Sequence, residues 1–201
     1  MKDFLIHLAK YRLFLASRSP RRQRLLTEMG LPFQVWLKEE TDEQYPAGMD
    51  PLDVALYLAR QKAQPYLPEL SEGDVLITAD TLVVLDGAIL GKPTDREDAI
   101  RILSGLSGNP HEVITGVGLW SKSAERLFEA RTKVWFDNLS IKEIEEYVDT
   151  CKPFDKAGAY GIQEWIGFVG IERIEGSFYN VMGLPIHRLY RELQKFTKFR
   201  S

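Results

Sequence analysis

Where Leu13-Phe14-Leu15-Ala16 gives way to Ser17-Arg18-Ser19-Pro20-Arg21-Arg22, an apolar run meets two hydroxyls and three guanidinium groups. The run reads as a buried strand, and Ser19-Pro20 as the N-cap and first position of a helix. A helix start presents unpaired N–H groups and the positive end of its dipole, so this turn suits an anion. Guanidinium forks match phosphate oxygens in pairs. The same residues fit equally well a capped helix whose arginines are merely solvated.

Two further stretches carry reactive side chains. Asp80, in Thr78-Ala79-Asp80-Thr81, directly follows the apolar run Val75–Ala79. This places it at the carboxyl end of a strand, where α/β sheets commonly set ligands. A carboxylate there can hold a metal or take a proton from water, or simply bind its own turn. Leu90-Gly91-Lys92-Pro93 follows, with Lys92 available as a point charge for phosphate. The third stretch runs from Lys152 to Gln163. It sets Asp155 and Lys156 in small, apolar sequence that lets a ligand approach closely, and Gln163 offers both donor and acceptor to a base. A hinge explains the glycines of this stretch but not its charges. Asp42-Glu43 alone reads as a solvated acidic loop, and the three histidines show no metal-ligand spacing.

The elements that must position these groups follow from pattern. Leu25, Leu26 and Met29 form the buried stripe of the first helix, and Gly30 its C-terminal cap. A strand is expected over 33–37 and a helix over 53–66 with Val54, Ala55, Leu58, Ala59 and Ala63 inward. Asp86-Gly87 joins Leu82–Leu85 to Ala88–Leu90 as a hairpin. Capping-box spacing starts helices at Thr94 and Ser140, ending near Ser104 and Thr150. Strands are expected over 112–120, 131–136 and 168–174, and a closing helix from Pro185. Strands interleaved with helices and one hairpin make an α/β protein with a mixed sheet.

Composition narrows the class. With 201 residues the chain can bury about 70% of its unfolded surface without a staple. A net charge of -3 argues against a general nucleic-acid binder. Cys151 is the single cysteine, so no internal disulfide forms, a reducing cytoplasmic setting is expected, and the thiol reads as a small hydrophobe. His7, Lys10 and Arg12 interrupt the N-terminal apolar residues, which argues against a signal peptide, and no run is long enough for a membrane span. No Walker-type loop or nucleophile elbow occurs.

Taken in order, Leu15-Ala16-Ser17 with Ser19-Pro20-Arg21-Arg22, Ala79-Asp80-Thr81, Gly91-Lys92-Pro93, Leu106-Ser107-Gly108 with His111, Thr115-Gly116-Val117, Asp155–Gln163 and Asn180–Pro185 resemble the Maf family of nucleotide pyrophosphatases. The resemblance covers roughly residues 13–190. It implies an α/β fold, two-lobed with an elongated mixed β-sheet and a deep cleft, similar to the inosine triphosphate pyrophosphatases. Residues 1–201 would form a single domain of two lobes. It implies hydrolysis between the α and β phosphates of a nucleoside triphosphate, a divalent metal (Mg²⁺ or Mn²⁺, with Co²⁺ open) and a homodimer, with no membrane or nucleic-acid partner.

By the same resemblance, the catalytic aspartate falls on Asp80 and the catalytic lysine on Lys92. The second acidic residue falls on Asp42 or Glu43, with Glu43 favoured as catalytic residue and as metal ligand beside Asp80. Ser17, Arg21, Arg22, Asp155 and Lys156 would bind substrate, and Arg21, Thr81 and Gln163 would set specificity. The Asp155–Gln163 segment looks like the branch acting on dTTP and UTP, with a house-cleaning role on modified pyrimidines as an extension. Glu164-Trp165 departs from the family pattern, which often has glycine soon after the glutamine. A nucleotide-sensing regulator of cell division, or an enzyme for a modified purine such as 7-methyl-GTP, are the alternatives.

Overall fold

The computed structural model describes residues 2–39 and 44–198. Two compact units divide the chain. The first holds Met1–Asp80, Thr115–Ala130 and Gly183–Ser201, and the second Thr81–Ile114 and Arg131–Met182. Hydrogen-bonded neighbours give a seven-stranded mixed sheet in the order β2-β1-β3-β5-β6-β7, with β4 paired to β3.

In the first unit, β1 (Arg12–Leu15) lies parallel to both β2 (Phe33–Val35) and β3 (Asp74–Leu85). The register is pinned where Arg12 faces Asp74: the guanidinium donates to both carboxylate oxygens at 2.7 and 3.0 Å. Asp74 is buried and also accepts from the Ser71 N–H. The worth of this pair lies mainly in not leaving a buried carboxylate bare. Helix α1 (Lys2–Leu8) precedes β1, and α2 (Pro20–Glu28) follows it with Ser19 as N-cap and Pro20 at its first position. Helix α3 (Pro51–Ala63) is capped by Asp50 and buries the five expected residues. Ala16, Ala63, Tyr66, Leu76 and Trp120 pack as a core with Phe14 and Trp36 against it. Helix α8 (Ile186–Phe196) closes the unit, its Leu189 and Leu193 buried.

In the second unit, the end of β3 turns through Asp86 (φ 48°) and Gly87 (φ 80°) into antiparallel β4 (Ala88–Leu90). Positive φ at both turn residues matches the twist of a two-residue hairpin. Helix α4 (Arg96–Leu106) follows, then β5 (Pro110–Trp120) and β6 (Glu125–Phe136), which like β3 have residues in both units. Helix α5 (Ile141–Cys151) carries the complete capping box of Ser140 and Glu143. Helix α6 (Trp165–Val169), β7 (Ile171–Glu175) antiparallel to β6, and α7 (Phe178–Val181) complete the unit. His111, Phe136 and Tyr160 form a buried cluster of edge-to-face rings with centroids 5.0–5.4 Å apart. Asn180 is fully buried and donates to the Val113 carbonyl and to Thr132 Oγ1, both at 3.0 Å.

Several boundaries differ from the pattern reading. Helix α4 is capped by Asp95, whose carboxylate accepts the Asp98 N–H, and not by Thr94. Strand β6 begins six residues earlier, at Glu125 rather than Arg131. The short helices α1, α6 and α7 carry too few turns for an apolar stripe to show. Among the described residues, no helix is long and apolar enough to cross a membrane.

Candidate functional site

In the first unit, Asp80 does not follow a strand. It is the seventh residue of the unbroken twelve-residue β3, only 6% exposed, so the expectation of a strand-end position is corrected. A polar run continues as strand because each polar side chain finds a partner. Thr78 Oγ1 donates to the Ala59 carbonyl at 2.7 Å and accepts the Trp120 indole N–H at 2.8 Å. Asp80 is met by the ammonium of Lys62, from the last turn of α3. That lysine reaches it because α3 lies close against β5: a Cβ on Gly116 would stand 2.3 Å from the Ala55 carbonyl oxygen. Gly116 is therefore required by close approach of helix backbone to strand.

Beside this pair, the turn after β1 is tied down by Arg22. Its Nε donates to the Gly183 carbonyl at 2.8 Å and its Nη1 to the Ala79 carbonyl at 2.9 Å, with Ser17 Oγ at 3.4 Å. Ser17 Oγ also accepts the Ser19 N–H, and Ser19 Oγ the Arg22 N–H. Arg22 thus links the helix start, the backbone next to Asp80 and the chain before α8. Ser17 is buried, and its own O–H proton serves neither bond. Arg21 lies half-buried in the first turn of α2. The structure brings Ser17 and Arg22 together, and Arg22 reaches the carbonyl of Ala79, the residue before the Lys62-bound Asp80.

In the second unit, Asp155 and Lys156 precede a short 3-10 turn, Ala157–Ala159. The Lys156 side chain is 9% exposed and the Asp155 side chain 60%. The Lys156 ammonium donates to Asp155 Oδ1 at 2.7 Å and pairs with Glu164 Oε1 at 3.1 Å. Glu164 Oε2 accepts the Tyr147 hydroxyl, which in turn accepts the Gly161 N–H at 3.2 Å. Burial, with Glu164 beside it, raises the Tyr147 phenol above its usual range, so it stays protonated as the donor. Burial likewise pushes the half-buried Cys151 thiol up, which keeps it a poor nucleophile.

Gly158 has φ +70°, a Cβ on it would stand 2.8 Å from Val83, and its N–H donates to the Gly91 carbonyl at 3.1 Å. This bond joins the Gly91-Lys92-Pro93 segment to the Asp155–Gln163 segment. Lys92 is exposed and Pro93 buried. Gln163 is half-buried, and its Oε1 is buried with no hydrogen-bond partner among the described residues. Thr81 is half-buried in β3. Asp42 and Glu43 lie outside the described residues.

Sequence reasoning missed Lys62 and Tyr147, and noted Glu164 only as a departure. A lysine in the last turn of a helix already has a bland explanation, the negative end of the helix dipole. Tyr147 reads as one member of an apolar stripe. No local signal distinguishes either residue.

A mixed-sheet α/β protein with a buried carboxylate, met by a half-buried lysine, beside an arginine-tied helix start is the class these features define. The Maf-like protein family model matches residues 12–196, and the chain belongs to that family. A dTTP/UTP pyrophosphatase of Porphyromonas gingivalis (strain ATCC 33277) is 51% identical over 194 residues, covering 96% of this chain and 98% of its own. One of Parabacteroides distasonis is 47% identical over 192 residues, 96% of this chain and 100% of its own. One of Bacteroides thetaiotaomicron is 49% identical over 189 residues, 94% of this chain and 98% of its own. Among solved structures, a HAM1 protein from Coxiella burnetii aligns over 63% of this chain and 73% of its own, at 15% identity and a TM-score of 0.42.

Proposed function

We propose that this protein hydrolyses dTTP and UTP to the nucleoside monophosphate and pyrophosphate. Water adds to the α-phosphorus, the bond from that phosphorus to the α–β bridging oxygen breaks, and pyrophosphate leaves with the bridging oxygen. The observation that carries the reading is the Lys62–Asp80 pair, a buried acceptor met by a half-buried cation, next to the Ala79 carbonyl that Arg22 ties to the start of α2. Near-full-length relatives named for this activity support it.

Asp80 takes the proton of the attacking water, a role that contributes on the order of 100- to 10,000-fold. Lys62, freed as Asp80 turns to its reaction partners, and Lys92 offset negative charge on the phosphate oxygens. Ser17, Arg21 and the start of α2 receive the phosphate tail, and Arg22 holds their backbone in place. Lys156, already bonded to two carboxylates, steadies its loop. Gln163 reads the pyrimidine edge, and Thr81 and Arg21 shape the same choice.

A divalent cation fits this chemistry. Among the described residues no group of three or more His, Cys, Asp or Glu side chains can hold a metal. Mg²⁺ and Mn²⁺ do not need such a cage, since one or two carboxylates plus substrate phosphate suffice. Asp80 and Glu43 would hold the ion, which would supply Lewis acidity toward the phosphate oxygens. The lone cysteine supports a cytoplasmic setting, where removal of unwanted nucleotides would be useful.

The test is pyrophosphate release from a panel of nucleoside triphosphates, with and without Mg²⁺ or Mn²⁺. Metal-dependent release from dTTP and UTP, with monophosphate as the other product, is expected. Binding without release from any member would leave a nucleotide sensor, and a purine preference would move the enzyme to another branch.

A further inference from the structure

Thr78 and Asp80 stand two residues apart on β3, so their side chains leave the same face of the sheet. Helix α3 meets that face with Ala59 and Lys62, three residues apart on one side of the helix. The Thr78 hydroxyl donates to the Ala59 carbonyl at 2.7 Å, and the Lys62 ammonium donates to Asp80 Oδ1. Two successive bonds between the same two elements therefore aim the lysine at the carboxylate. The Asp80 side chain is 9% exposed and that of Lys62 22%. A carboxylate so withdrawn from water needs a cation beside it, and the protein supplies one of its own. Lysine suits a contact that can be given up, because its charge rides on a flexible four-carbon stem and is not locked in a fork.

A divalent ion and an ammonium repel one another on a shared carboxylate. We propose that Lys62 is a resident counter-cation for Asp80: it opposes divalent-metal binding in the nucleotide-free protein and yields when a triphosphate enters with the ion. A triphosphate carries more negative charge than one divalent ion offsets, so the displaced ammonium has phosphate oxygens to pair with. Metal and nucleotide then strengthen each other's binding by the same factor, as linkage requires. The inference rests on the proposed use of Asp80 with a divalent ion, and its test does not depend on turnover.

The test is Mn²⁺ binding, read from the electron paramagnetic resonance signal of the free ion. Wild-type protein should bind Mn²⁺ weakly without nucleotide, and about a hundredfold tighter with the α,β-imido analogue of dUTP, which resists cleavage between those phosphates. In Lys62→Met, α3 keeps its five buried residues and the bond at the Ala59 carbonyl. This variant should bind Mn²⁺ about tenfold tighter without nucleotide, and the gain from the analogue should shrink to about tenfold. Lys62→Gln, which can still donate to Asp80 but carries no charge, should shift in the same direction and serves if Lys62→Met does not fold. Unchanged or weaker nucleotide-free binding in a folded variant overturns the inference. Thermal melting separates this role from a merely structural ion pair: Mn²⁺ alone should raise the melting temperature of Lys62→Met and leave that of the wild type nearly unchanged. An equal response in the two proteins makes the pair structural and overturns the inference as well. If the wild type releases no pyrophosphate from any triphosphate, the proposed activity fails separately, and the nucleotide-free titrations still decide the role of Lys62.

Discussion

Both units set a lysine against a carboxylate, and they do so in opposite ways. Lys62 and Asp80 come from the end of a thirteen-residue helix and the middle of a twelve-residue strand. Lys62 meets Asp80 in a frame that Gly116 keeps close and Arg22 ties to the helix start. Lys156, Asp155 and Glu164 all lie within ten residues of one irregular segment, and one cation meets two carboxylates. Rigid elements place the first pair, so its geometry suits the step where atoms must be held tightly. A loop places the second, which under the proposed function suits adaptation to the shape of a base.

The largest effect should come from breaking the first pair. Asp80→Asn is expected to lower turnover about 100-fold or more, measured as pyrophosphate release with saturating metal. Lys156→Met, the matched change in the second unit, should act mainly on KM and on the choice among nucleotides. Near-native turnover in folded Asp80→Asn would remove Asp80 from the chemistry and collapse the contrast.

Arg22→Ala comes next. It removes two charge-assisted bonds to backbone carbonyls and leaves both oxygens in search of water. A loss of about 4 kcal/mol in unfolding free energy is expected by urea denaturation. Arg22→Lys should recover little, since a single ammonium cannot reproduce the fork. If instead Arg22→Ala melts like the wild type and loses only nucleotide affinity, the residue contacts phosphate rather than anchoring the turn.

The contrast also explains what the sequence made legible. Helix α2 with Ser19-Pro20, the capping box of α5 and the Asp86-Gly87 hairpin were all readable because their signals lie within a few residues. The inward face of α3 was readable from its period. Asp80 was found as a residue but misplaced as a strand end, because Thr78-Ala79-Asp80-Thr81 looks like a turn until Ala59, Trp120 and Lys62 supply partners from elsewhere. The second group was more visible, since Asp155, Lys156, Gln163 and Glu164 are neighbours in the chain. Its organising bond to Tyr147 was not, because that residue also fits an apolar stripe.

A pH measurement sharpens the comparison from the side of the second unit. Burial holds the His111 imidazole down to about 4, against an ordinary value of 6.5, and a backbone contact at Asn109 opposes this only in part. Its Nε2 lies 2.8 Å from the Tyr160 hydroxyl, which burial keeps protonated. The folded state therefore binds this proton less readily than the unfolded state. Stability should be full above pH 6.5, fall as the pH drops, and level off near 4, losing about 3 kcal/mol in all. Arg96 holds Asp149, and Arg101 holds Asp98, below the usual carboxylate range, so their losses belong to lower pH. In His111→Gln the fall between pH 6.5 and 4 should disappear in denaturation curves, and its persistence would assign the limb to other groups.

The smallest effect tests whether the loop of the second unit is set by its backbone. Gly158→Ala must accept φ +70° and a methyl group 2.8 Å from the Val83 side chain. The left-handed conformation costs roughly 1 kcal/mol for an L side chain and the crowding a similar amount, so a loss of about 2 kcal/mol is expected. Adding Val83→Ala to Gly158→Ala should relieve the crowding and leave the conformational part. Val83→Ala alone creates space in a buried strand and should destabilise by itself. The double variant should then be more stable than the sum of the single losses predicts, by about 1 kcal/mol. Strict additivity would mean that the loop moves away from β3 instead of pressing on it. In that case the bond from Gly158 to the Gly91 carbonyl, and with it the placement of Lys92, should loosen, visible as faster amide exchange at Gly158.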